Sequence, residues 1–235
     1  MLGGGVTIVR TVLVCLLALL PSISWEAPAG TAGEIVRASC PRLRLVWIDV
    51  VGSASYALPS ATREATAILG DAGVATAWRV ATPSTETTDD ELKILVMGDA
   101  GDGPRRSRRV MGCTHRGEHS RTTWVYLSSV LWALGLQSPA GRGLLAHEQE
   151  EVGRALGRVV AHEIVHVVAP DLPHRRDGLM AGRLSRVLLV SNRVSLTLRE
   201  GQALRAGLEN FDSTDASTGA GERATESLQP RHPKR

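Results

Sequence analysis

The sequence predicts an α/β (α+β) fold, and three observations carry that prediction. Short runs rich in β-branched and apolar residues, such as Leu43 to Val51 and Leu92 to Met97, read as strands. Other stretches space their apolar residues helically, the longest running from His147 through Ala169. Clusters of Gly, Pro and Asp punctuate the chain between the two kinds of segment. At 235 residues, with 43% apolar and 22% charged residues, the chain is long enough for one good core, and its composition is that of a globular protein.

Taken in order, Leu43 to Val51 (LRLVWIDVV) is the first strand and Pro59 to Leu69 a helix that stops at Gly70-Asp71-Ala72-Gly73. Val74 to Val80 alternates as a strand and ends before Pro83; Ser84 to Asp90 is polar loop, and Leu92 to Met97 (LKILVM) is the next strand. Gly98 to Pro104 is a turn or loop without the ligand positions of a calcium loop. Arg109 to His115 is expected as a short edge strand, Thr122 to Val130 (TTWVYLSSV) as a further strand and Gly135 to Gly143 as loop. The His147 to Ala169 helix opens with Glu148, Glu150 and Glu151, continues with Val152, Leu156, Val159, Val160 and Ile164 at helical spacing, and is ended by Pro170. A second helix is expected from Leu196 to Leu208, and the Ser/Thr/Gly/Glu-rich residues 211–235 read as a disordered tail.

Residues 1–29 have the form of an export signal: Arg10, the apolar run Thr11 to Leu20, then Pro21 and a small-residue cleavage site at Ala27-Pro28-Ala29. Ten apolar residues fall short of the roughly 20 that span a bilayer. The reading is therefore an exported protein, periplasmic or secreted, with no membrane association after cleavage; a retained N-terminal anchor is the alternative. Residues 30–41 form a lead-in, and 42–210 a single domain. Loss of the signal removes Cys15 and leaves Cys40 and Cys113, an even count that favours one disulfide in an exported chain. Ligation of a metal by either cysteine is the sharper alternative. The formal net charge is +3, and the only dense basic cluster, Arg105-Arg106-Ser107-Arg108-Arg109, has no aromatic residues interleaved, which argues against a nucleic-acid partner.

The most specific signal is His162-Glu163-Ile164-Val165-His166, followed by His174 and by Asp177-Gly178-Leu179-Met180. On a helix, residues four apart share a face, so His162 and His166 suit two ligands of one tetrahedral metal. Glu163 is rotated about 100° from His162, beside the metal without ligating it, where it takes a proton from bound water. Standing alone, such a five-residue match reads by default as an ordinary helix. Here Val159, Val160, Ile164, Val167 and Val168 surround it and a third histidine and a methionine follow in order. His174 is the candidate third ligand, with a surface-loop histidine as its bland reading. Asp171 or Asp177 would substitute for it, and Glu200 or Glu209 would serve in an arrangement with a distant glutamate.

With these residues in place, the chain resembles a small metzincin-type zinc metallopeptidase, similar to short exported bacterial proteins that share the helix, Pro, His and Gly-Leu-Met arrangement and a late helix with Gln202-Ala203-Leu204-Arg205. The resemblance covers roughly Leu43 to Leu208 and is specific only from His162 to Met180. It implies a twisted mixed sheet of four to five strands with a backing helix, an active-site helix and a C-terminal helix. It also implies metal ligands His162, His166 and His174, Glu163 as general base, and Met180 in a turn that supports the site. The sequence departs from the family's usual spacing, in which a Gly follows the second histidine and the third histidine comes ten residues after the first: position 172 is Leu, His174 comes twelve after His162, so that the loop is two residues longer, and Val165 stands where glycine is common.

The expected activity is that of a monomeric, exported endopeptidase with one Zn2+, hydrolysing peptide or protein substrates. A zinc-bound water attacks the peptide carbonyl, Glu163 acts as base and then as acid to the leaving amine, and the substrate lies along the edge strand. The alternative from another class is an exported binding protein that keeps zinc as a structural staple without turnover.

Overall fold

The computed structural model describes residues 40–88, 90–98, 110–114, 121–137 and 143–221, with side chains as far as 209. The expected signal segment, nearly all of the lead-in, the arginine cluster and residues 222–235 lie outside the described residues. Among the described residues, no helix is long and apolar enough to cross a membrane.

The fold is mixed α/β with one five-stranded sheet. The strands are β1 (Arg42–Asp49), β2 (Ala75–Ala81), β3 (Glu91–Met97), β4 (Gly112–Thr114) and β5 (Thr122–Tyr126), in the order β2-β1-β3-β5-β4. All neighbours are parallel except β4, which runs antiparallel to β5 at one edge. The register aligns Leu45 with Leu92, Trp47 with Ile94 and Val96 with Val125. These side chains therefore share a face, and all are buried in one core with the helices. On the opposite face Arg79 reaches across β1 to Glu91, with Nη2 donating to Oε2 at 2.6 Å, while Val46 between them is fully buried.

Helix α1 (Leu58–Asp71) and helix α3 (Ala146–Val168) cover the core face. They cross closely because α3 presents glycine there: a Cβ at Gly153 would lie 2.5 Å from the Ser60 Cβ, and one at Gly157 would lie 2.5 Å from the Ala61 carbonyl oxygen. Ala61 and Ala65 supply the matching small surface on α1. The contact is locked by Arg158, whose guanidinium is fully buried and donates to Glu64 Oε1 at 2.6 Å, Leu188 O at 2.6 Å and Ser191 O at 2.7 Å. One buried cation thus ties α1 and α3 to the C-terminal end of the short helix α4 (Arg186–Val190).

Two helices differ from the sequence expectation. The run Thr122 to Val130 is not one strand: β5 ends at Tyr126 and helix α2 (Leu127–Leu134) begins at once. Leu127, Val130, Leu131 and Leu134 are all buried at i, i+3, i+4 and i+7, and Gly135 closes the helix in the left-handed region at φ 79°. Helix α5 (Leu198–Gly221) extends eleven residues into the segment 211–235 that composition assigns to a disordered tail. Once α5 is anchored by Leu204 and Leu208 in the core, each further helical residue adds a backbone hydrogen bond without a new nucleation cost. Its start is a capping box, in which the Thr197 N–H donates to Glu200 Oε2 at 2.7 Å and the Glu200 N–H to Thr197 Oγ1 at 3.4 Å.

The expected Cys40–Cys113 disulfide is not formed; both cysteines are free. Topology gives the reason. Cys113 lies on β4 at the sheet edge and Cys40 just before β1, with β3 and β5 between those strands. Three strand spacings amount to about 14 Å, twice the Cα separation that a disulfide tolerates. Cys113 Sγ instead lies 3.2 Å from the Tyr126 hydroxyl.

Candidate metal centre

Helix α3 carries its chemistry in its last two turns, where His162 and Glu163 are buried and His166 is half-buried. The helix stops at Val168, and the Leu172 N–H donates to the Ala169 carbonyl at 3.0 Å, closing a four-residue turn with Pro170 at its second position. The turn and Pro173 send the chain back along the helix end. His174 then faces His166, with their Nε2 atoms 2.9 Å apart.

His166 Nε2 also lies 3.2 Å from His162 Nε2, so three ring nitrogens converge on one point. A tetrahedral ion with bonds of about 2.05 Å would separate neighbouring ligand atoms by about 3.3 Å, close to these spacings. The tautomers fit as well. His162 Nδ1 is 2.7 Å from the Leu179 carbonyl oxygen, an acceptor only, so Nδ1 carries the hydrogen and the Nε2 lone pair is turned to the cluster. A single hydrogen on His166 Nε2 makes one linear hydrogen bond, not two; a shared cation satisfies all three lone pairs. Burial, aided by the neighbouring His174, lowers the pKa of His162 against the opposing effect of the Leu179 bond, which favours the neutral, ligating form. This cluster can hold a metal ion.

No family model, curated protein or solved structure matches this chain. The reading of the centre therefore rests on its own geometry.

The remaining candidates sort themselves by contact. Among the described residues, neither Asp171, Asp177, Glu200 nor Glu209 joins the histidine cluster. Glu200 is occupied as the α5 capping residue and by Arg175, 3.8 Å away. Neither free cysteine belongs to the cluster. Met180 is fully buried in the core, and its backbone carbonyl accepts from the Arg175 N–H at 2.8 Å, which helps to close the loop after His174. Gly178, at φ 77°, makes the reversal within that loop. The atom that touches the centre from this turn is the Leu179 carbonyl oxygen.

The cluster opens into a cleft of about 300 Å³. The cleft is lined by Gly112 and Thr114 of strand β4, by Met111 just before that strand, and by Gly182 and Leu184 of the loop after the Gly178 turn. Glu163 lies in the same cleft, nearly buried, and burial pushes its pKa up to about 7 although the Thr114 hydroxyl opposes the shift. Thr114 Oγ1 donates to Glu163 Oε2 at 2.9 Å, and Gly112 leaves room for the carboxylate, since a Cβ there would lie 2.7 Å from Oε1. Neither Thr114 nor Gly112 is singled out by the sequence. Their only sequence signal is membership of a short expected edge strand, which does not say what the strand packs against.

Proposed function

We propose that the chain is an exported zinc-dependent endopeptidase of the metzincin type. The observation that carries this reading is the placement of Glu163 in one cleft with three converging imidazoles, beside a sheet edge. His162, His166 and His174 would hold the ion. A donor set of three neutral nitrogens suits zinc, and catalytic zinc sites use three protein ligands. When bound, zinc would supply Lewis acidity and lower the pKa of water towards about 7.

The chain's own groups do the rest. Glu163 takes a proton from the attacking water and returns it to the leaving amine as the peptide C–N bond breaks. Among the described residues β4 pairs only with β5, and its outer edge is the place where an extended peptide would add as a strand. The export reading rests on Arg10 and the apolar run Thr11 to Leu20.

The binding-protein alternative is disfavoured by Glu163, because a structural site has no use for a buried carboxylate in the same cleft. The test is cleavage of a peptide library by the purified protein with its zinc counted. Chelator-sensitive cleavage supports the proposal, whereas one equivalent of zinc without cleavage favours the binding protein.

A further inference from the structure

Strand β4 contributes more than a wall to the cleft. Its residues alternate in direction, so Gly112 and Thr114 point the same way, and both meet Glu163 on α3. The Thr114 hydroxyl reaches two acceptors on that residue, the carboxylate Oε2 at 2.9 Å and the main-chain carbonyl at 3.3 Å. Gly112 supplies the space: a Cβ at this position would lie 2.7 to 2.9 Å from Oε1, Cγ and Cδ together. The edge strand itself is held to the sheet close by, where the Tyr126 N–H donates to Met111 O at 2.8 Å and Thr123 Oγ1 to Cys113 O at 3.1 Å. The cradle is thus fixed on its sheet side as well as its helix side.

We infer that Thr114 is a positioning residue for Glu163, and that Gly112 is its steric complement. The inference builds on the peptidase reading, with Glu163 as the group that handles the proton. A carboxylate on a rotatable side chain has to be held at one angle for proton transfer to be in line, and the hydroxyl of Thr114 does this. The same hydroxyl serves the second half of the cycle: once Glu163 carries the proton, Thr114 accepts from the carboxyl and turns its own hydrogen to the Glu163 carbonyl. Because β4 is also the strand along which substrate is proposed to pair, one element sets the register of the peptide and the angle of the base.

The test compares Thr114→Val, which keeps the shape and β-branching, with Thr114→Ser, which keeps the hydroxyl. A hydrogen bond to a charged group corresponds to roughly a 10- to 100-fold factor in rate. The expected result for Thr114→Val is a fall of that size in kcat, with KM and zinc content unchanged, and substantial recovery of kcat in Thr114→Ser. Wild-type kcat in Thr114→Val, or equal impairment in both variants, overturns the inference.

A readout without turnover separates this inference from the reading beneath it. In full-length protein carrying 13C-labelled glutamate, the infrared carboxyl band that disappears in Glu163→Gln should shift in Thr114→Val and keep its position in Thr114→Ser. An unshifted band in Thr114→Val overturns the positioning role. A shifted band in a protein that cleaves no peptide upholds the hydrogen bond and defeats the peptidase reading instead.

Discussion

His162 Nδ1 donates to the Leu179 carbonyl oxygen at 2.7 Å, so the turn after the third histidine sets the tautomer of the first. The two residues are 17 positions apart in sequence. This bond explains how the Gly178-Leu179-Met180 segment serves the centre: the buried Leu179 and Met180 side chains anchor the turn in the core, and the Leu179 carbonyl fixes the imidazole.

His174 is the most exposed of the three imidazoles and arrives on a loop, which makes it the part of the centre most open to test. Replacing it with Ala should leave the fold intact and weaken zinc binding by at least about 100-fold, a larger loss than removal of an outer-sphere partner. Competition with a chromophoric chelator measures this, and an unchanged affinity removes His174 from the ligand set.

Glu163→Gln keeps the shape of the side chain and removes the base. Zinc content should remain that of the wild type while hydrolysis falls by about 10²- to 10⁴-fold, the usual contribution of a positioned acid–base group. Full activity in this variant would rule out the assigned role.

Arg158 has no exposed side-chain surface, and its loss would leave the largely buried Glu64 unpaired, take the Arg158 donor from the Ser191 carbonyl and leave the Leu188 carbonyl with the Ser191 hydroxyl alone. Arg158→Ala should cost about 3–5 kcal/mol in urea unfolding. A loss below about 1 kcal/mol would show that the network is incidental.

Arg79, donating through two nitrogens, and the Thr88 N–H hold the Glu91 carboxyl at about 2, below its ordinary value of 4.5. A carboxyl whose pKa is depressed by folding stabilises the fold above its unfolded pKa, and that contribution is lost as pH falls from about 4.5 towards 2. Glu91→Gln should therefore lower the urea midpoint at pH 7 more than at pH 2.5. An equal loss at both pH values would contradict the assignment.

Much of this was legible in the chain, and the parts that were not have physical reasons. β1, α1, β2, β3, α3 and the start of α5 announce themselves by periodicity and by glycine or proline at their ends. The late position of His174 is met by the Ala169–Leu172 turn, in which Pro170 is suited to the second place. Helix α2 was hidden because Trp124 to Leu134 is apolar apart from Ser128 and Ser129, and in such a run strand and helix give the same local signal. Thr114, Gly112 and Arg158 were hidden for another reason. Their roles come from contacts 49, 51 and 94 positions away along the chain, Gly112 being counted to Glu163 (163 − 112 = 51), and no local pattern records a partner at that distance. The disulfide expectation failed on the same ground, since an even cysteine count says nothing about which strands lie between.

The most direct test of the central claim is hydrolysis of a peptide library by the purified protein as isolated, after chelation, and after return of one equivalent of zinc. The account predicts cleavage, its loss and its restoration, in that order. Cleavage that survives complete removal of the metal, or no cleavage by protein carrying its full equivalent of zinc, would contradict it.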